Sequence, residues 1–243
     1  MAKQRAQSRG LLWAVIGGAV LAAAIVVGVL VAVTSQGGTA QPASSSPPTP
    51  TAGPTSSTST GEVVDAAAVE AGWVPEPITT DPESYLRAAI EAAGTVDTTR
   101  ATRDEWVTYL DTWFTPDPRF QDPDEQAAQT ARYQLTMRDA VIFPDQVWDS
   151  LARQNGRVIA STMGEISFTP VPDYDGDDMF IGTSDVVLTF TQTGEDGAES
   201  SYEEQVRVSA QVLCGEASVP APGSAQAAGD CKLIRYFDAA LSD

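Results

Sequence analysis

From Leu11 to Val33 the chain runs for 23 residues without a charge, LLWAVIGGAVLAAAIVVGVLVAV. Wound as a helix at about 1.5 Å per residue, this run is roughly 35 Å long, enough to cross a hydrocarbon core of about 30 Å with a modest tilt. Lys3, Arg5 and Arg9 precede it and no Lys or Arg follows until Arg87. The positive-inside rule therefore keeps the N-terminus in the cytoplasm and puts everything after Val33 outside. A cleaved secretory signal is the competing reading. Signal cores run about 7 to 15 apolar residues, however, and no A-x-A site follows closely here.

Past the apolar run, Thr34 to Gly61 has no charged residue; 14 of its 28 positions are Ser or Thr and five are Pro. Such a stretch buries too little apolar surface to offset the entropy of ordering, and it reads as a disordered tether with ends roughly 30 Å apart. Glu62 to Thr80 is transitional, a short helical patch followed by the extended VPEPITT. Asp81 before Pro82 then marks a helix start, with Tyr85, Leu86, Ala89, Ile90 and Ala93 on one face and Gly94 ending it. Thr102 and Glu105 form a capping box before Trp106, Tyr109, Leu110 and Trp113 at helical spacing. Asp122-Pro123 starts a third helical stretch and Pro144 a fourth, closed by Asn155-Gly156.

From Arg157 the period changes to two. RVIASTMGEISFTPV, SDVVLTFTQT, SYEEQVRVSAQVLC and CKLIRYF are strand candidates, and GEDGAE joins the second to the third as a hairpin. In the third, Val206, Val208, Ala210 and Val212 point one way while Gln205, Arg207, Ser209 and Gln211 point the other. Helices followed by four strands predict an α+β domain with an antiparallel sheet, one face covered and the other wet. The layout is a cytoplasmic tip (1–10), a transmembrane helix (11–33), a linker (34–61) and one extracytoplasmic domain (62–243).

Charge and composition narrow the function. The portion after Gly61 holds 33 acidic and 11 basic residues, a formal charge of −22. Such a domain repels nucleic acid and anionic lipid, so direct nucleic-acid binding is not expected. There is no histidine, and Lys232 is the sole lysine beyond the tip. That removes Ser-His-Asp and Cys-His catalysis, imidazole metal sites and histidine proton shuttles, and leaves little for a Ser-Lys dyad. The two cysteines, Cys214 and Cys231, favour a disulfide in an exported segment, closing a loop of roughly 16 residues worth about 3 kcal/mol in the chain-entropy model; two buried free thiols are the alternative. Neither cysteine directly follows the apolar run, so lipoprotein attachment is excluded.

Two acidic groups invite chemistry. Asp173, Asp175, Asp177 and Asp178 suggest calcium, yet an EF-hand loop needs Gly at its sixth position and Glu at its twelfth, where this chain has Asp178 and Ser184; a solvated acidic loop is the reading. Glu203 and Glu204 are adjacent on a strand and point to opposite faces, which a glycosidase pair does not. The expectation is a protein without catalytic residue, cofactor or metal.

The basic tip, single span, Ser/Thr/Pro tether, DPESYLRAAIEAAGTVDTTRATRDEWVTYLDTWF and the ending SYEEQVRVSAQVLCGEASVPAPGSAQAAGDCKLIRYF resemble small bitopic proteins of actinobacterial conjugative and integrative elements. These are similar in layout to the bitopic assembly factors of type IV secretion systems, whose outer domain has the nuclear transport factor 2-like fold, with helices in the concavity of a strongly curved antiparallel sheet. That fold usually places a helix between its early strands, and none is legible between Arg157 and Phe237. The resemblance implies a non-catalytic scaffold of a DNA-transfer channel in the cell membrane, anchored in the lipid bilayer and binding other membrane or channel proteins, further copies of itself among them. A cell-surface binding module for a small molecule or peptide is the alternative, favoured by a deep apolar cavity lined by Trp106, Trp113 or Trp148. An enzyme working with carboxylates alone is the third reading, and a pair of facing acids inside a cavity would mark it.

The orientation has a direct check. Protease added to intact cells or spheroplasts is expected to digest the domain and spare the tip; protection of the domain would reverse the assignment.

Overall fold

The computed structural model describes residues 61–241. The tip, the apolar run and the tether up to residue 60 lie outside them. Among the described residues no helix is long and apolar enough to cross a membrane.

Each helix starts where local chemistry puts it. Asp81 caps α1 (Pro82–Ala92), accepting from the Ser84 N–H at 3.0 Å, with proline in the first position, where its missing N–H costs nothing. Thr102 caps α2 (Arg103–Asp111) in a reciprocal box: its hydroxyl accepts from the Glu105 N–H and the Glu105 carboxylate accepts from the Thr102 N–H. Asp122 caps α3 (Pro123–Ala140) through the N–H groups of Asp124 and Glu125. α4 (Asp145–Ala152) follows Pro144 without a side-chain cap and ends as Asn155 turns left-handed (φ 47°), while the Gly156 N–H returns to the Leu151 carbonyl at 2.8 Å.

Five antiparallel strands form one curled sheet in sequence order: β1 (Val96–Asp97), β2 (Arg157–Thr169), β3 (Met179–Thr193), β4 (Glu199–Leu213) and β5 (Lys232–Tyr236). No helix interrupts Arg157 to Phe237. The two residues of β1 extend the sheet by a strand that carries no periodicity of its own. β3 begins five residues before the expected Ser184, because Met179–Thr183 is covered on both faces and so shows no alternation. GEDGAE closes the β3–β4 hairpin, which pairs without slippage from Met179↔Leu213 to Thr193↔Glu199. β2 is different: Met163 faces Asp185 but Ser167 faces Thr183, so two extra residues bulge out around Gly164 (φ 65°) and the strand bends there.

α1 lies against the inner face formed by β2, β3 and β4. Leu86, Ala89 and Ile90 of the helix are buried in one core with Val158, Ala160, Val186, Leu188 and Phe190 of the sheet. The helix sits close: a Cβ on Gly182 would stand 2.6 Å from both Ile166 Cγ2 and Leu86 Cδ1. The outer face is wet only near the hairpin, where Ile159 and Met163 stand exposed and Arg207 pairs with Asp185 at 3.2 Å. Toward the other end Ile181, Ser209 and Gln211 are buried, because the chain after β5 folds back and the Phe237 and Leu241 N–H groups donate to the Ser209 carbonyl and hydroxyl. The expectation of one fully wet face therefore holds for half of the sheet.

The stretch before α1 is part of the domain. Val64 and Glu76, and Ile78 and Glu62, are joined by 2.9 Å backbone hydrogen bonds; a single 3-10 turn (Ala66–Val69) buries Ala68; and Trp73 stacks on Tyr109 at 5.0 Å.

Gly182→Val is expected to lower the urea midpoint by the equivalent of about 1–3 kcal/mol with unchanged m, since added methyls at this contact overpack it. An unaltered midpoint would show that α1 does not press on β3 there.

Candidate functional site

None of the acidic groups singled out in the sequence forms a convergent site. The Asp173–Asp178 stretch is the loop from β2 to β3, where Tyr174 donates to Asp178 and Asp173 takes a left-handed φ of 56°. Glu203 is exposed on the outer face, and Glu204 lies opposite Leu188 on the inner one. Among the described residues, no three His, Cys, Asp or Glu side chains are placed to hold a metal ion. Trp106, Trp113 and Trp148 are core side chains: Trp106 stacks on Trp148 at 5.7 Å and on Phe143 at 6.1 Å, and all three are buried. Their packing is that of an interior, not the lining of a cavity. A shallow depression on the outer sheet face, near Met163, Asp185, Gln205 and Arg207, is half apolar and open to solvent.

The chemistry gathers instead at Lys232. This lysine opens β5 immediately after Cys231, which is joined to Cys214 by a disulfide. Its Nζ donates at 2.7 Å to Glu76 Oε1 and at 2.9 Å to the carbonyl of Thr112, at the end of α2, and stands 3.5 Å from Gln226 Oε1. Lys232 is 1% exposed and Glu76 0%. Burial of this order is rare for either residue and is tolerated because each charge meets the other and further polar partners. Glu76 Oε1 accepts two more hydrogen bonds, from Tyr85 Oη at 2.5 Å and Gln226 Nε2 at 3.2 Å, while the Glu76 N–H donates to Tyr109 Oη at 3.0 Å. Glu76 Oε2 is buried without a hydrogen-bond partner.

Aromatic rings wall the group in. Tyr85 packs against Trp113 at 5.7 Å, and Tyr109 meets Trp113 edge-on at 6.0 Å. Burial, then the charge of Glu76, pushes the Tyr85 hydroxyl well above its ordinary range, so it stays a donor. Burial pushes the Lys232 amine down, and the Glu76 carboxylate opposes that shift only in part.

Sequence reasoning noticed Lys232 for its isolation and missed its partners. Glu76 sits between two prolines in a stretch without periodicity, and Gln226 lies in the Ala- and Gly-rich loop of the disulfide. One signal was present: a lysine inside CKLIRY, a strand otherwise apolar apart from Arg235, has no solvated face to occupy.

A second polar cluster fixes the turn after α2. Asp117 is buried, pairs with Arg119 at 2.6 Å and accepts from Tyr133 Oη of α3 at 3.3 Å. Desolvation raises its carboxyl, but the hydrogen bonds from Arg119 outweigh this and hold it below its ordinary value. Arg235 of β5 lies 4.2 Å over the ring of Phe237 and donates to Gln211 at 2.9 Å.

No protein-family model and no curated protein matches the chain. It is similar in structure to an IcmL-like type IV secretion system protein from Legionella pneumophila, at 9% identity and a TM-score of 0.38, over 64% of this chain and 87% of that one. It is similar also to a periplasmic fragment of TraM, at 10% identity and a TM-score of 0.31, over 62% and 89%.

Lys232→Met alone is expected to cost about 3–5 kcal/mol, because it strands a buried carboxylate. Adding Glu76→Gln removes that charge and should restore most of the loss, since the glutamine keeps an oxygen for Tyr85. Urea denaturation of the two single variants and the double variant gives the coupling directly; additive losses would mean that the two side chains act independently.

Proposed function

We propose that the chain is a membrane-anchored, non-catalytic scaffold of a conjugative or type IV secretion-like DNA-transfer apparatus. On this reading residues 11–33 hold it in the cell membrane as a single-pass protein, and residues 34–61 tether the domain outside. The domain, a cone of the nuclear transport factor 2-like kind, works through its surface: it binds other channel proteins, with self-association as a further mode, and carries no cofactor.

The observation that carries the reading is the charge pattern of the folded domain. Its arginines are largely spent internally: Arg100 on Asp97, Arg103 on Asp145, Arg119 on Asp117, Arg138 on Asp111, Arg157 on Glu199 and Arg207 on Asp185. Each such pair cancels its own field within a few ångströms, so the surplus of the −22 domain is presented to the outside as carboxylate. A surface of that kind selects partners with basic patches and steers them at low salt. Single apolar side chains, Leu135 on α3 and Ile159 and Met163 on β2, stand exposed among these charges, and give such a partner contacts to desolvate. The membrane-span–tether–domain order, and helices laid on one face of a curved antiparallel sheet, agree with the scaffold layout.

The test is a pull-down of the detergent-solubilised full-length protein from its native host at low and high ionic strength, beside a DNA-transfer assay in a deletion strain. The expected result is recovery of membrane or channel proteins that is weakened by salt, with transfer lost on deletion. Absence of such partners together with unchanged transfer would overturn the reading.

A further inference from the structure

The Lys232, Glu76 and Gln226 side chains converge in one buried, hydrogen-bonded cluster. The amine is 3.5 Å from Gln226 Oε1, and the carboxamide carbon is one bond, about 1.2 Å, from that oxygen. Gln226 Oε1 also accepts the Ala221 N–H at 2.9 Å, a backbone donor fixed on the atom where negative charge develops when the carbonyl is attacked. Glu76 Oε1 touches both nitrogens whose protons must move, Lys232 Nζ at 2.7 Å and Gln226 Nε2 at 3.2 Å. Gln226 is 8% exposed and the other two are fully buried.

We propose that Lys232 and Gln226 become joined by an intramolecular isopeptide bond, with Glu76 as the catalytic proton carrier. Glu76 takes a proton from the Lys232 ammonium, and the freed electron pair on Nζ forms a bond to Gln226 Cδ. The carbonyl pair moves onto Oε1, held by the Ala221 N–H. Glu76 then gives its proton to Nε2; the carbonyl re-forms, the Cδ–Nε2 bond breaks and ammonia leaves, while the second Nζ proton passes to Glu76. Ammonium, carboxylate and primary amide go in and secondary amide, carboxylic acid and ammonia come out, so Glu76 ends neutral beside the new amide, and no oxidant or other reactant is needed.

Two features of the site favour the step. Desolvation pushes the amine toward its neutral, nucleophilic form. Glu76 Oε1, in contact with both nitrogens, is the oxygen that takes the proton from one and gives it to the other. The product would fasten the loop between Cys214 and Cys231 to β5 by a link that reduction cannot open, next to a disulfide that it can.

Mass spectrometry of the full-length protein, detergent-extracted, reduced and alkylated, reads the bond. The expected mass is below the sequence mass by one ammonia, about 17 Da, the leaving group of the attack by a lysine nucleophile. Trypsin applied to the denatured protein should fail to cut after Lys232, and cleavage before Asp230 should leave both fragments joined through Gln226. Cyclisation at Asn155-Gly156 would release the same mass; a deficit mapped there, or no deficit, overturns the proposal. Glu76→Gln is expected to restore the full mass, and a retained cross-link would remove Glu76 from the reaction. If that variant does not fold, Gln226→Ala leaves the ion pair in place: it should show the full mass and a cleavable Lys232, and a persisting deficit overturns the assignment of Gln226.

Discussion

One buried carboxylate oxygen ties the domain together. Glu76, in the stretch before α1, accepts on Oε1 from Tyr85 of α1, from Gln226 of the disulfide loop and from Lys232 of β5, whose ammonium in turn reaches the end of α2 at Thr112. Lys232 and Glu76 are 156 residues apart in the chain. A buried ion pair is weak evidence of stability, because desolvating both charges offsets much of their attraction; its stronger effect is to make misplacement costly. Any packing that separates these segments leaves a charge in an apolar interior, whereas slippage of Leu, Ile and Val past one another loses only contact area. The pair therefore sets the position of segments that have little other means of finding each other.

The need for such a device follows from the sheet. β3 and β4 form a long hairpin whose register is fixed locally by its turn, and β2 joins β3 over most of its length. β5 is only five residues long, follows an irregular loop and changes register between Gln211 and Val212. Its hydrogen bonds alone specify its place poorly. The disulfide to Cys214 at the end of β4, the Cys231 N–H to Thr79 carbonyl bond and the Lys232 ion pair act on two successive residues at its start, and so compensate for its shortness.

What was legible in the sequence is what short-range chemistry decides. Asp81-Pro82, Thr102 with Glu105 and Asp122-Pro123 each mark a helix start through side-chain to backbone bonds spanning two or three residues, and GEDGAE marks the hairpin in the same way. The alternation of Val206 to Val212 put Val208, Ala210 and Val212 on the helix-covered face, while it did not show that Val206 is exposed and that Ser209 and Gln211 on the other face are buried. Where both sides pack, at Met179–Thr183 and at Lys232–Tyr236, the alternation vanishes and the strand limits or the role of a residue vanish with it. Glu76 was illegible for a different reason: between Pro75 and Pro77 it belongs to no periodic element, and its environment is built entirely by residues distant in sequence.

The same distinction separates the interior from the surface as sources of function. Lys232, noted in the sequence only as the sole lysine beyond the tip, and Glu76, which belongs to no periodic element, are the most deeply buried ionisable pair described. Most of the remaining carboxylates, Asp117 apart, are at least partly exposed, and Arg100, Arg157 and Arg207 are engaged in short pairs with Asp97, Glu199 and Asp185. Salt therefore acts on the two places differently. Added ions screen exposed carboxylates over a Debye length of about 8 Å at physiological strength but do not enter the aromatic enclosure around Glu76. Association through the acidic surface, on the reading proposed above, should thus respond to ionic strength over a range that leaves the buried pair unscreened.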